Sequence, residues 1–251
     1  MGSRLHLLRD TSTLVKKLAV NPVVNSDFLY RALMSSEIFR IYATGDMETA
    51  MAVQLKHRHM IFHGNWEDAA LPTDAFPKRN FFVSASPPEA IALLREEYEL
   101  KGEWPCRHFV APKGFGPGPW DALGRLKDSD VSFIAHFWEL GGDDREEHIR
   151  DCVRRYDSAC IRVGKKPVAW CGLHFEIPGA GNLGFAHTVE RHRRKGFAVQ
   201  VTKALVNRLA ARGARATAHV IKDNKASTSL CRSMGFRAIG ERTWADFGRR
   251  L

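Results

Sequence analysis

The period of apolar and polar positions changes abruptly between residues 183 and 213. Residues 183–189 form a short apolar-rich run followed by charges, which predicts a strand that ends in a loop. From Phe197 the apolar residues recur at helical spacing, and Gly213 is well placed to end the helix. The apolar stripe of this helix consists of Ala198, Val201, Ala204, Leu205 and Leu209. The pattern therefore predicts a strand, a turn and a long amphipathic helix in direct succession.

The turn between the strand and the helix, residues 191–196, reads RHRRKG. The first turn of a helix carries unpaired backbone N–H groups and a partial positive charge, so it is suited to a phosphate. Gly196 would let the phosphate approach closely, and Arg193, Arg194 and Lys195 would add charge around it. The alternative interpretation is a basic helix start on a solvated surface.

Two motifs, one within this turn and one after the helix, strengthen the phosphate interpretation. Residues 193–198, RRKGFA, match the [QR]-x-x-G-x-[GA] signature of the GNAT acyltransferases. A predicted strand over residues 214–221 follows, and from Asn224 the chain has the N-x-x-[AS]-x-x-[LF]-x-x-x-x-G-F arrangement of that family. Over residues 127–251 the chain thus resembles a GNAT acyltransferase.

The resemblance implies a mixed-sheet α/β acyltransferase fold in the C-terminal half and acetyl-CoA or another acyl-CoA as cofactor. It assigns a set of residues to the cofactor, in which successive backbone amides would hold the pyrophosphate. These residues are Ala186, His187, Thr188, Arg193, Arg194, Lys195, Gly196, Phe197, Ala198, Asn224 and Ser227.

Within the superfamily, three stretches look most like the glycine N-acyltransferase branch. They are PVAW at residues 167–170, the His187-Thr188 pair that ends the strand, and DSACI at residues 157–161. This likeness implies N-acyl transfer from acyl-CoA to a primary amine of a small molecule such as an amino acid. A protein N-acetyltransferase of the same fold and a non-catalytic acyl-CoA-binding regulatory module are the alternatives.

The strongest break in the chain is the stretch APKGFGPGP at residues 111–119, through which no regular element can continue. We therefore predict an N-terminal α/β domain over residues 1–118 and the acyltransferase domain over residues 119–251. Strands and helices mix in the first domain as they do in the second, and the resemblance implies that it is a degenerate copy of the same fold. Its last helix is predicted to begin at the proline pair 87–88 and to stop at Gly102.

The reaction needs groups that move protons, and the sequence offers three candidates. Many family members carry a Tyr immediately after the leucine of the Asn224 helix as the general acid, whereas this chain has Cys231 there. For the base, His187 ends the key strand, and Glu176 lies with His174 on one face of the preceding strand. Water is the alternative donor and acceptor, with Cys231 and His187 serving only in packing.

The formal net charge of +10 is concentrated after residue 190, which favours an anionic ligand. Nucleic acid is the rival to coenzyme A, but the aromatic residues of this region do not alternate with the basic ones as a stacking groove requires. We therefore expect a small-molecule amine as partner, with nucleic-acid binding as the lesser alternative. No stretch approaches the roughly 18 apolar residues of a membrane span, so we expect no membrane contact.

Cysteine and histidine positions bear on compartment and metal. The five cysteines include no C-x-x-C pair and read as reduced thiols, which favours a cytoplasmic protein, with the mitochondrial matrix as the alternative. His57, His59 and His63 lie close together without an acidic or Cys partner. We interpret them as part of a solvated loop, and we expect no metal site.

Overall fold

The structure is a computed structural model that describes residues 3–31, 39–54, 58–72, 75–77, 79–138 and 144–249. Its elements in chain order are β1 (Ser3–Arg4), β2 (His6–Leu7), α1 (Ser12–Ala19), α2 (Pro22–Leu29), β3 (Arg40–Ala43), β4 (Ala50–Gln54), β5 (His59–His63), β6 (Ala69–Ala70), β7 (Phe81–Ser86), α3 (Pro88–Glu97), β8 (Tyr98–Val110), α4 (Val131–Ala135), α5 (Arg145–Arg155), β9 (Ser158–Val163), β10 (Lys166–Ile177), β11 (Ala180–Thr188), α6 (Phe197–Ala211), β12 (Arg215–Ile221), α7 (Lys225–Ser233) and β13 (Arg237–Arg249). Strands and helices mix throughout, as the sequence predicts.

The chain forms two compact units. The first comprises Met1–His108, Val220–Asn224 and Ile239–Leu251, and the second comprises Phe109–His219 and Lys225–Ala238. The first unit includes most of β13 because this strand pairs antiparallel with β7. The domain division at residue 118 stays a prediction of the sequence.

In the first unit the main sheet has the strand order β2-β3-β4-β5-β7-β13-β8. Strands β3, β4 and β5 form an antiparallel meander, and β7 joins β5 in parallel. Strand β4 is buried along its whole length, which explains its continuous apolar sequence. The core against this sheet is aromatic, with Phe62, Trp66, Phe81 and Phe247 nearly or fully buried.

The last helix of the first unit is shorter than predicted. Helix α3 begins at Pro88, as expected, but ends at Glu97, and the chain passes directly into β8 instead of continuing to Gly102. The ring of Tyr98 stacks on Phe76 at 5.3 Å and meets Phe81 edge to face at 5.0 Å. These aromatic contacts with residues distant in sequence favour the extended conformation, which the local helical pattern did not indicate.

The predicted loop histidines lie in a strand. His59 and His63 are the two ends of β5, and His57 lies outside the described residues. Burial lowers the pKa of His63 to about 4, so its imidazole is neutral at physiological pH. The expectation of a turn was wrong for His59, because the pairing of β5 with β4 already begins there, whereas the strand predicted over residues 60–63 ends at His63 as expected.

In the second unit the strand order is β12-β11-β10-β9. Strands β9, β10 and β11 are antiparallel, and β12 joins β11 in parallel after helix α6. Four residues of the predicted apolar stripe of α6 are buried and Ala198 is half-buried; Leu209 packs so closely on Gly181 that a Cβ on this glycine would lie 2.6 Å from it. Helices α4 and α5 contact each other, α5 contacts β10, and a second apolar cluster contains Ile134, Ile149 and Trp170.

Two local predictions in this unit need correction. The spacing of Phe133, Ile134, Phe137 and Trp138 in the sequence predicts a single helix, but α4 ends at Ala135, so Phe137 and Trp138 lie after it. The Phe137 ring stacks on His187 and the Trp138 ring on His148, contacts that no local signal reports. The glycine- and proline-rich stretch PGAGN at residues 178–182 predicts a turn that ends at Asn182, but Asn182 is a buried residue of β11.

Three further features concern a buried charge, the cysteines and membrane-spanning helices. The buried carboxylate of Asp157 lies within ion-pair distance of Arg125, Arg208 and Arg212, which compensates its loss of hydration. All five cysteines are buried free thiols. Across the described ranges, no helix has the length and apolar character needed to cross a membrane.

Candidate functional site

Strand β11 separates from β12 partway along its length. Their parallel register ends at the pair Leu183↔Ala218, whereas β11 continues to Thr188. Over this last stretch β11 keeps its pairing with β10, and the side chain of Ala186 is exposed. The separation leaves backbone groups on one edge of β11 free of pairing with β12, in the stretch that contains Ala186, His187 and Thr188, which the resemblance assigns to the cofactor.

A β-bulge lies at the same place. The register of β11 with β10 shifts between the pairs Gly172↔Gly184 and Trp170↔His187. Phe185, inside the shift, has a φ of +36°, which is unusual for a residue with a side chain. Bulges redirect backbone and side-chain groups and are common beside active sites.

The basic turn delivers the chain from β11 to the start of α6. The Arg193 Nε donates a hydrogen bond to the Thr188 carbonyl at 3.1 Å, which ties the turn to the end of the strand. Arg194 and Gly196 both adopt left-handed conformations, with φ of +61° and +75°. Gly196 is the N-cap residue, and no side chain caps the helix.

The start of α6 has backbone N–H groups that the helix itself does not use. The first intrahelical bond runs from the Gln200 N–H to the Gly196 carbonyl at 3.1 Å, so the N–H groups of Phe197, Ala198 and the following residue precede the helical ladder. A Cβ built on Gly196 would meet nothing within 4 Å. Lys195, like the other basic residues of the turn, is exposed. The structure thus brings together the helix start, the glycine and the positive charges as the sequence predicts.

His187 lies on the side of the sheet that carries α4 and α5. Its ring stacks on Phe137 with the centroids 4.6 Å apart and lies 5.2 Å from the ring of Trp170. Burial, and to a lesser degree the charge of Arg193, lower the pKa of His187 below its ordinary value. The imidazole is therefore neutral at physiological pH and able to accept a proton.

Glu176 and His174, the other acid-base candidates on β10, have separate surroundings. Arg212 forms a bidentate ion pair with Glu176, in which its Nε donates to Oε1 at 2.8 Å and its Nη2 donates to Oε2 at 2.9 Å. Its cross-strand partner is Gly181, near the hairpin turn and away from the bulge. The ring of His174 packs at the bulge itself, 5.6 Å from Phe185.

Cys231 lies in α7 and is buried. Burial raises the pKa of its thiol to about 11. Burial, and to a lesser degree the nearby Cys231, raise the pKa of the fully buried Cys171 thiol to about 12. The Cys171 Sγ lies 3.9 Å from the Gly184 carbonyl oxygen. Asn224 directly precedes α7, and Ser227 is a half-buried residue within it.

Sequence reasoning missed two groups of residues on the α4 and α5 side. One is the aromatic set of Phe137 and Trp170 around His187, for which the only local signal was their apolar character. The other is formed by His148, Cys152 and His174, whose ring nitrogens and sulfur lie within 4.8 Å of one another. The i, i+4 spacing of His148 and Cys152 on a helix was a readable signal for the second group.

Comparison with known proteins adds the fold class. Residues 161–245 match the family model described as FR47-like protein. A Drosophila protein solved as a structural genomics target is similar over 98% of this chain and 99% of its own, with a TM-score of 0.70 and 15% identity. A GCN5-related N-acetyltransferase from Kribbella flavida is similar over 92% of this chain and 96% of its own, with a TM-score of 0.58 and 12% identity.

A third similar structure is a tandem GNAT protein from the clavulanic acid biosynthesis pathway. It aligns over 97% of both chains with a TM-score of 0.52 and 10% identity. At these identities the likeness defines the fold, and the chain has the mixed α/β fold of the GNAT acetyltransferases. The FR47 match and the fold together support the assignment of the chain to the GNAT superfamily.

Proposed function

We propose that this protein transfers an acyl group from acetyl-CoA or another acyl-CoA to the primary amine of a small molecule such as an amino acid. One observation carries the proposal: the splayed and bulged end of β11 leads directly into an uncapped, basic helix start. This is the arrangement in which unpaired N–H groups and positive charge are available to a pyrophosphate. The GNAT fold supports acyl transfer from acyl-CoA in general.

The residues present fit coenzyme A at this site. The open space in front of Gly196 would admit a phosphate to the N–H groups of Phe197 and Ala198. Arg193, Arg194 and Lys195 would place positive charge around the phosphate, as the sequence predicts. When bound, the cofactor supplies the thioester that the amine attacks.

The chain's own groups would then orient the amine and remove its proton. The unpaired backbone edge of β11 beyond Leu183 would position the cofactor by hydrogen bonds. His187, neutral and packed against Phe137 and Trp170, would accept the proton of the ammonium group directly or through water. Both carboxylate oxygens of Glu176 are paired with Arg212, and this ion pair explains the presence of Glu176 without a catalytic role. We therefore favour His187 as the base.

A binding module without catalysis is the second candidate, and the burial of Cys231 favours it. Where the general acid of many family members would stand, the chain has a buried thiol whose pKa is raised to about 11. After giving up its proton such a thiol would be a buried, unpaired thiolate, which is unfavourable. Under this reading the protein binds acyl-CoA and responds to it.

We also propose that the first unit is a degenerate copy of the same fold. The likeness to a tandem GNAT protein over nearly the whole chain supports this proposal. The narrower glycine N-acyltransferase assignment likewise stays a proposal.

The test is release of free thiol from acetyl-CoA and from longer acyl-CoA in the presence of defined amines. We expect release that depends on a small amine, drawn from a panel of amino acids and polyamines. Release only with lysine-containing peptides would show the protein N-acetyltransferase instead. Cofactor binding by calorimetry without release for any acceptor would show the binding module, and absence of both would refute the proposal.

Replacement of the buried thiol, Cys231→Ala, is expected to leave turnover within about threefold of wild type, because solvent protonates the leaving thiolate. The change should destabilise the fold by about 1 kcal/mol, the typical cost of a buried truncation. Cys160→Ala is the matched control, since Cys160 is equally buried and its pKa is also raised to about 11. Turnover and denaturant unfolding are measured on both variants, and a drop of roughly 100-fold in turnover for Cys231→Ala alone would assign it the acid role.

A further inference from the structure

Three potential metal ligands converge between α5 and β10. His148 and Cys152 are one helical turn apart on α5, so they occupy the same face, and His174 lies on β10. The nitrogen and sulfur atoms of the three side chains all lie within 4.8 Å of one another. We refer to His148, Cys152 and His174 as the His-Cys-His cluster.

The distances within the cluster fit a tetrahedral zinc ion. The Nε2 of His148 lies 3.1 Å from the Nδ1 of His174 and 3.5 Å from the Sγ of Cys152. Zinc bound at 2.0–2.1 Å by nitrogen and 2.3 Å by sulfur holds two such nitrogens about 3.4 Å apart and a nitrogen and sulfur about 3.5 Å apart. The third pair, Cys152 and His174, lies within 4.8 Å, so an approach of these two side chains by up to about 1.3 Å would place all three atoms in a first coordination shell.

The surroundings of the cluster also suit a metal. Cys152 is 3% exposed, whereas His148 is on the surface, so an ion could enter from solvent and retain a water ligand. The His148 ring stacks on Trp138 at 5.3 Å with an interplanar angle of 24°, which restrains its orientation. Packing that restrains a ligand's ring reduces the entropy lost on binding.

The donor types select the metal. Two imidazoles and one thiolate are the ligands of zinc and related transition metals, whereas magnesium and calcium prefer oxygen. A hydrogen-bonded pair of histidines would explain the 3.1 Å contact, but it does not require a sulfur beside the same nitrogen. We propose that the His-Cys-His cluster binds a zinc ion, with water as the fourth ligand, which links α5 to β10. This proposal is independent of acyl transfer.

The experiment is a zinc titration of the full-length, tag-free protein after dialysis against a chelator, read by competition with a chromophoric chelator. We expect binding of one zinc ion per chain. His148→Gln, Cys152→Ser and His174→Gln should each weaken binding by more than about 100-fold, since loss of an outer-shell partner alone costs 10–100-fold. His136→Gln, an exposed histidine, and Cys160→Ser, a buried cysteine in the same unit, should bind as wild type does.

Cobalt(II) provides a second measurement that reports the ligands directly. We expect a thiolate-to-cobalt charge-transfer band in the near ultraviolet that Cys152→Ser abolishes and Cys160→Ser retains. His148 is exposed, so His148→Gln keeps the fold, and circular dichroism checks each variant. A wild-type protein that binds no zinc at micromolar concentrations overturns the proposal, as does zinc binding that all three cluster variants retain.

Discussion

Gly196→Asp is expected to weaken binding of coenzyme A by at least about 100-fold, equivalent to about 2.7 kcal/mol. The new carboxylate would stand in the open space before the first N–H groups of α6, where the proposal puts the pyrophosphate. It would satisfy those N–H groups and repel the phosphate, so both attractive terms are lost together. Isothermal titration calorimetry with coenzyme A and with acetyl-CoA measures the change.

The chain offers a matched control at the other end of the same helix. Gly213 has the same φ as Gly196, +75°, and a Cβ on either glycine would meet nothing within 4 Å. Gly213→Asp therefore introduces the same charge and the same backbone strain away from the proposed phosphate site. We expect it to bind coenzyme A nearly as wild type does. Equal affinity of wild type and Gly196→Asp would refute the phosphate site at this helix start.

The second large effect is expected from His187→Phe, which should lower kcat by about 100-fold, the lower end for loss of a general base. Phenylalanine keeps an aromatic ring packed against both Phe137 and Trp170, so the change removes the titrating nitrogen with little loss of packing. Cofactor affinity is expected to stay within a few-fold of wild type. Steady-state kinetics with the amine identified in the acceptor panel, together with calorimetry, separate the two effects.

The pH profile gives His187 a signature that packing cannot produce. A base acts in its neutral form, and the pKa of His187 lies below the ordinary 6.5, so kcat/KM should rise with pH through a value below 6.5 and then level off. Bound phosphate would offset the charge of Arg193, so the corresponding rise in kcat should occur at a higher pH than that in kcat/KM. The rise should disappear in His187→Phe.

His136→Phe is the control for this variant. His136 contacts the same Phe137 ring, at 5.3 Å, but its side chain is exposed. We expect normal turnover and an unchanged pH profile. If His187→Phe keeps the wild-type kcat and pH profile, water removes the proton and His187 serves only in packing.

The strand, basic turn and helix between residues 183 and 213 could be predicted because their signals are local. Alternation, helical spacing and glycine each act through the conformation of a few neighbouring residues. The helix begins at Phe197 after the glycine, as expected, and Gly213, just past its end, has a positive φ. The GNAT signature added the fold, and the comparisons confirm that fold.

Prediction failed where contacts between distant residues outweigh local preference. The switch from α3 to β8 at Tyr98 depends on rings at positions 76 and 81, and the early end of α4 accompanies the stacking of Phe137 on His187. In both places a sequence that reads as a continuing helix gains more by placing its aromatic side chains in a cluster.

The sequence by itself determined the order of elements around the basic turn and the chemical types available there, since both follow from residue identity and short-range periodicity. Only the tertiary structure decided which side chains meet. It packed His187 against two aromatic rings, paired Glu176 with Arg212, and brought His174 to the His148 and Cys152 of another element. Such meetings arise from the packing of helices against a sheet, which depends on many residues at once and leaves no mark in any single stretch of sequence.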